Sequence, residues 1–475
     1  MSRLAVRRGD PRVTLAVLSM AGLAYAVLSS SVVPALPTIQ HDLNASETGV
    51  TWLLTGYLLS ASVGTAILGR LGDMYGKERV LLWTLVLLGA GTLLAALAHT
   101  LALLIIARVI QGVAGGIYPL AFGIIRDEFP RERVPGSIGL VSAILGIGAG
   151  VGIVSGAIVV EHLSWNWLFW LPLAVIVVAA ICTWRFVPES PVRVPGRINW
   201  LAAALMSTGI CTVLIAISET TTWGWGSPRT IGLLVAGLGV CAAWVAVEVR
   251  STEPLIDMAM MRIRGVWTAN LTAFLLGAGM YSAFIVFPQF AQLPKSTGFG
   301  FGASVVASGL YLLPSTIAMM LVGMAAGPIS ARFGSKAAAV VGSVFSAAAF
   351  GLIAAAHDHP YDMLLSSALM GIGIGLAFAA LGNIVVQAVP AHQTGAAGGM
   401  NTVMRTIGGA LGGQLAATLI ATSTASDGLP AETGFTETFV MATAFLVVCG
   451  FAALLVPEPR AAAPELEPAL ALGDD

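Results

Sequence analysis

Charge is what this chain has least of. Asp, Glu, Lys and Arg make up only 10% of its 475 residues, while 57% are hydrophobic; soluble domains run at about 25% charged. A water-soluble fold of this length would need a charged surface, because large exposed apolar patches associate, so a soluble enzyme and a disordered chain are both excluded. Cysteine is scarce too. Cys182, Cys211, Cys241 and Cys449 each lie in an apolar run with no C-x-x-C spacing and no nearby His pair, which excludes a disulfide scaffold and leaves them as small packing residues. The net charge of -1 lacks the basic excess that neutralises phosphates, so no nucleic-acid partner is expected. What is plentiful is glycine, 55 residues of it, which in membrane helices lets backbones approach closely. The medium these numbers describe is a lipid bilayer.

A helix needs about 20 apolar residues to cross roughly 30 Å of hydrocarbon. Runs of that kind lie near 13–36, 49–68, 80–98, 101–122, 136–160 and 166–187. A polar linker with Pro188, Glu189, Pro191, Arg193, Pro195 and Arg197 follows, then two runs near 198–218 and 229–248. After a second polar stretch come six more, near 265–290, 303–328, 337–356, 362–386, 396–421 and 436–456. The expected organisation is a cytoplasmic N-terminus (1–12), a six-helix bundle (13–187), a linker with two additional transmembrane helices (188–264), a second six-helix bundle (265–456) and a disordered cytoplasmic tail (457–475).

Fourteen spans put both termini on one side, and the distribution of Lys and Arg chooses it. With the N-terminus inside, about 19 of the 23 basic residues fall in cytoplasmic segments, against Arg229 and Lys295 outside. Arg108 and Arg405 lie within spans. The Arg-rich start is no cleaved signal peptide, since its apolar run is too long and no small-residue cleavage site closes it. The expected location is therefore the inner or plasma membrane, multi-pass, with both termini cytoplasmic.

The chain also repeats itself. Gly69-Arg70-Leu71-Gly72-Asp73-Met74-Tyr75-Gly76-Lys77 follows the second span, and Gly327-Pro328-Ile329-Ser330-Ala331-Arg332-Phe333-Gly334-Ser335-Lys336 follows the tenth. The offset, 327 minus 69, is 258 residues, which fits six spans plus two inserted ones. Parallel halves related by an axis along the membrane normal are a transporter design, with substrate bound between them near the midplane. In the first loop Gly69 and Gly76 permit tight turning. Asp73, at a helix end, can accept hydrogen bonds from another helix's N-terminal amides or pair with a basic side chain, so the loop reads as a latch.

These residues resemble the major facilitator superfamily, and within it the fourteen-span drug:proton antiporter branch. Gly69-Arg-Leu-Gly-Asp73-Met-Tyr-Gly-Lys-Glu-Arg79 looks like the superfamily's loop signature between spans two and three. Arg108-Val-Ile-Gln111-Gly112 looks like its R-x-x-Q-G motif, while Trp52-Leu-Leu-Thr55-Gly-Tyr57 and Trp165-Asn-Trp167-Leu-Phe169-Trp-Leu-Pro172 resemble stretches typical of the branch. The resemblance implies an all-α polytopic membrane protein of the major facilitator fold. It further implies a proton-coupled secondary active transporter that exports drugs, antibiotics or secondary metabolites by alternating access. Uptake, or transport of one dedicated metabolite, is the alternative. Gly69, Arg70, Gly72, Asp73, Gly76, Lys77 and Arg79 would then form the gating latch, with Arg108, Gln111 and Asp73 as proton-coupling candidates. Two departures stand out: the first span has no acidic residue, and the glycine-rich run Gly146-Ile-Gly148-Ala-Gly150-Val-Gly152-Ile-Val-Ser-Gly156 lacks the branch's proline.

A charge at the bilayer midplane costs at least about 2.5–3.5 kcal/mol, so intramembrane ionisable residues are functional candidates by default. Here both are arginines, Arg108 and Arg405, and no Asp or Glu falls at midplane. A cavity holding Tyr25, Trp52, Tyr57, Asn270, Tyr281, Gln289, Asn383, Asn401, Arg405 and Gln414 favours neutral or anionic amphipaths over cations. Phosphate-loop and H-E-x-x-H patterns are absent, so no catalytic residue, metal or cofactor is expected. The energy source would be the proton motive force, and the partners a small-molecule substrate and the bilayer, around a monomer.

Overall fold

The computed structural model describes residues 10–45, 47–190, 199–252, 254–423 and 429–457. Most of the expected N-terminal segment (1–9), the middle of the linker (191–198) and the tail from 458 lie outside the described residues. The rest is helical. The first six long helices are α1 Pro11–Ser30, α2 Glu47–Tyr75, α3 Lys77–Ala96, α4 Leu101–Glu128, α5 Val134–His162 and α6 Trp167–Phe186. An inserted pair follows, α7 Trp200–Ser218 and α8 Pro228–Arg250. The second six are α9 Arg264–Gln292, α10 Val306–Ala325, α11 Arg332–Ala355, α12 Pro360–Ala388, α13 Thr394–Thr422 and α14 Glu432–Leu454.

Local sequence sets these boundaries. The Asp10 side chain accepts from Arg12 N at 2.9 Å and Pro11 opens α1, while Thr100 caps α4 through Leu103 N at 3.3 Å. Among the described residues thirteen helices are long and apolar enough to cross a membrane. The fourteenth expected span, α13, has the length, at 29 residues, but is too rich in Gly, Thr and amide side chains to match the others in hydropathy. Its packing explains how it is accommodated. A Cβ at Gly408 or Gly412 would run into the carbonyl oxygens of Phe274 and Ala278, so α13 lies backbone against backbone on α9 and is shielded from lipid there.

Buried apolar residues form two cores, one for each set of six helices. Outward faces stay apolar, as a helix facing lipid requires: Trp83 and Val86 on α3 and Val178 and Trp184 on α6 are all exposed. The inserted pair lies outside both bundles, over the line where α2 meets α13. Met206, Ile210 and Leu214 of α7 share the second core with Leu59 and Ala66 of α2. At the end of α7, Ser218 Oγ stands 3.4 Å from Thr55 Oγ1 of α2, and Trp225, in the following turn, donates Nε1–H to Thr418 Oγ1 of α13 at 3.0 Å.

The internal repeat is visible in the backbone. Gly76 ends α2 at φ +108°, and Gly334 breaks the corresponding corner between α10 and α11 at φ +79°. Their separation, 334 minus 76, is again 258 residues. Such φ values favour glycine, which has no Cβ to clash.

Candidate functional site

On the face that carries the α2–α3 loop, the two bundles touch through glycine. Gly69 and Gly395 are so close that a Cβ on either would strike the other's carbonyl oxygen. That approach lets Asp73 Oδ2 accept from the amide of Ala396 at 3.3 Å. Ala396 lies in the first turn of α13, where unpaired amides and the helix dipole favour a negative charge. Behind this contact Asp73 Oδ1 stands 3.6 Å from Lys77 Nζ, and Lys77 donates to Asp127 Oδ2 at 2.6 Å. Asp127 also accepts from the Ser190 hydroxyl. All three charged side chains are at most 1% exposed, so this is a buried network that depends on every member.

A second cross-bundle tie lies beside it. Arg126, near the end of α4, donates to Thr394 Oγ1 at 2.6 Å and to Val389 O at 2.7 Å. The other loop residues have lesser roles: Gly72 presses on Leu120 of α4, Arg70 is half-buried, and Arg79 Nε meets Glu189 Oε2 at 3.2 Å in an ion pair whose arginine is 65% exposed. Sequence reasoning missed Arg126, Asp127, Ser190 and Thr394. Arg126 and Asp127 close an apolar run as ordinary edge charges do, and nothing local shows that Asp127 meets a lysine 50 positions earlier.

Deeper in, Arg108 is turned wholly into the first bundle. Its Nε donates to Leu53 O at 3.2 Å, and Nη1 to Leu28 O and Gln111 Oε1, each at 3.0 Å. Gln111 in turn donates to Thr92 Oγ1 at 3.1 Å, and the Tyr57 ring covers the guanidinium at 4.1 Å. Tyr25 stacks beside Tyr57, with centroids 5.8 Å apart, and meets Tyr118 edge-on at 6.2 Å.

Between the bundles lies a cavity of about 20 Å³, room for about one water. Tyr118 and Phe122 of α4, Ser142 and Leu145 of α5, Phe378 of α12, and Asn401 and Arg405 of α13 line it. Of the cavity residues expected from sequence, Asn401 and Arg405 reach this wall. Asn401 donates to Ala269 O at 3.1 Å and Asn270 Oδ1 at 3.2 Å, which fixes it to α9, and Tyr281 packs on Gly409. The others are elsewhere: Asn383 reaches Pro135 O at 3.2 Å, Trp52 packs on the second core, Gln414 Oε1 is buried with no hydrogen-bond partner among the described residues, and Gln289 is exposed. Tyr118 and Phe378 were not anticipated, because an aromatic in an apolar run carries no local sign of facing a cavity.

Residues 18–413 and 269–472 match the Major Facilitator Superfamily. The chain belongs to that superfamily, as its motifs implied, and is a multi-pass membrane transporter rather than an enzyme. It is 30% identical over 411 residues to the tetracenomycin C resistance and export protein of Streptomyces glaucescens, covering 85% of this chain and 74% of that one. It is 29% identical over 383 residues to a multidrug resistance protein B homolog of Mycobacterium tuberculosis, covering 78% and 69%. Multidrug resistance protein 3 of Bacillus subtilis is 28% identical over 400 residues, covering 82% and 76%. Among solved structures, the human organic anion transporter MFSD10 (TETRAN) superposes with a TM-score of 0.68 over 94% of this chain and 99% of that one, at 16% identity, which speaks for the fold.

Proposed function

We propose that the protein is a proton-coupled exporter of amphipathic small molecules, working as a monomer in the cytoplasmic membrane by alternating access of its two bundles. The observation that carries this reading is the latch. One face is held shut by the Gly69–Gly395 approach, by Asp73 on the start of α13 and by Arg126 on Thr394 and Val389. The bias of Lys and Arg assigns that face to the cytoplasm, so the latch stabilises a state closed to the inside. Asp73 is the titratable member of the contact. A proton on it would remove the negative charge from the N-terminus of α13 and weaken the closure, which is how proton binding would be felt by the bundles. Arg108 stays charged throughout, and acts as a fixed cation that holds α1, α2 and α4 together. Export is favoured over uptake by the relatives, whose names speak of resistance and export. The Streptomyces relative, named for one compound, also favours a second reading, export of one dedicated metabolite.

Purified protein in liposomes tests the proposal. An imposed proton gradient is expected to drive movement of an amphipathic dye against its own gradient. A protonophore is expected to abolish it, and Asp73→Asn or Arg108→Ala to reduce it at least about tenfold. Movement that ignores the proton gradient would rule out coupling.

A further inference from the structure

The two arginines within the spans are satisfied in opposite ways. Arg108 spends its donors on two carbonyl oxygens and a glutamine of its own bundle. Among the described residues, Arg405 has no carboxylate within 4.0 Å and no hydrogen-bond acceptor for its guanidinium; its close partner is the face of Phe378, 4.6 Å from Cζ. Tyr118, which shares the cavity wall, is a neutral donor at ordinary pH and no counter-ion. A guanidinium has five donors in a planar fork, and a half-buried one within a membrane span has little water to satisfy them. Here that fork lies over a ring at the wall of the cavity between the bundles.

We infer that Arg405 is the anchor for a carboxylate on a flat aromatic ligand. The ligand's place as transported cargo rests on the exporter reading above. The fork can engage two oxygen atoms side by side, while Phe378 supports it from one face and Tyr118 and Phe122 provide aromatic surface for the body of the ligand. A cationic ligand would meet a fixed positive charge and no carboxylate. The anchor is also connected to the latch. Arg405 stands nine residues beyond Ala396 on the same helix, about 13 Å along its axis, so whatever seats on Arg405 pushes on the helix whose first turn Asp73 holds. With room for about one water in this state, the site admits cargo only when the bundles part.

The test compares two probes of one shape, 9-anthracenecarboxylate and 9-anthracenecarboxamide, for equilibrium binding to full-length protein in detergent and for proton-driven movement in liposomes. Wild type is expected to bind the carboxylate at least about tenfold more tightly than the amide. Arg405→Gln should abolish that preference while leaving amide binding within about twofold, and Arg405→Lys, which keeps the charge and loses the fork, should retain part of it. Equal loss for both probes in Arg405→Gln, no loss for either, or no binding of either probe by wild type overturns the anchor. Charge-selective binding lost with Arg405, but with no proton-driven movement, supports the anchor and defeats the exporter reading instead.

Discussion

The α2–α3 loop and its counterpart between α10 and α11 share a backbone device and little else. Both turn at a glycine with positive φ, Gly76 and Gly334, 258 residues apart. In the first, Asp73 and Lys77 flank the turn and Glu189 crowds the glycine; in the second, the matching positions are Ala331 and Ser335, and a Cβ on Gly334 would meet open space. A duplicated corner thus preserves the bend that the chain path requires, while Asp73, the acid that reaches the opposite bundle on the first copy, is replaced by Ala331 on the second. The latch is one-sided because the chemistry is, not because the architecture is.

The largest expected effect that separates the two copies comes from Lys77→Met. It removes the cation within 4.0 Å of both Asp73 and Asp127, leaving two buried carboxylates, and should cost about 3–5 kcal/mol in thermal unfolding in detergent. Ser335→Ala, at the equivalent and also buried site, removes a hydroxyl and no charge and should cost no more than about 1.5 kcal/mol; a similar loss in both would mean that the lysine's charge pairing is irrelevant. Next comes Gly69→Val, which blocks the approach to Gly395. Transport is expected to fall by about tenfold with the unfolding temperature nearly unchanged, and a cysteine placed at Ala396 should become reactive to a thiol reagent applied from the latch face. Unaltered reactivity would show that the glycine contact does not hold the bundles together.

Smaller effects sharpen the same contrast. Gly334→Ala pays for backbone strain alone, about 1–3 kcal/mol, whereas Gly76→Ala adds a collision with the Glu189 carboxylate and should cost more. Equal losses would leave Glu189 no part in the turn. Smallest of all is Arg79→Ala. Its pair with Glu189 is exposed to solvent on the arginine side, so about 0–1 kcal/mol is expected, shrinking further in high salt.

How much of this was legible beforehand follows from the range of the interactions. Spans are written in runs of apolar residues, and the corner glycines in a repeat, so both could be read along the chain. The α13 helix is legible as the run near 396–421, yet its glycine face makes it the least lipid-like of the long helices by composition, and only its backbone contact with α9 shows why that is tolerated. Asp73 was readable as a helix-end acceptor, but not that its acceptance falls on Ala396, 323 residues later. Asp127, Arg126, Tyr118 and Phe378 gain their surroundings from helix rotation and from packing between distant segments, which no local pattern encodes. Rotation likewise separated Asn401 and Arg405, which face the cavity, from Gln289 and Asn383, which do not.

Among the described residues, the segment of the inserted pair α7–α8 makes a polar contact to each bundle, Ser218 to Thr55 of α2 and Trp225 to Thr418 of α13. Thr55 is near the start of α2 and Thr418 near the end of α13, so both contacts lie at the end of the molecule opposite the latch. Any tilt that spreads α2 from α13 at that end must break one of the two, at about 1 kcal/mol for a hydrogen bond. On the alternating-access reading the pair would act as a weak return spring, since about 1 kcal/mol is small enough for thermal motion to overcome and large enough to shift a balance between two states by about fivefold.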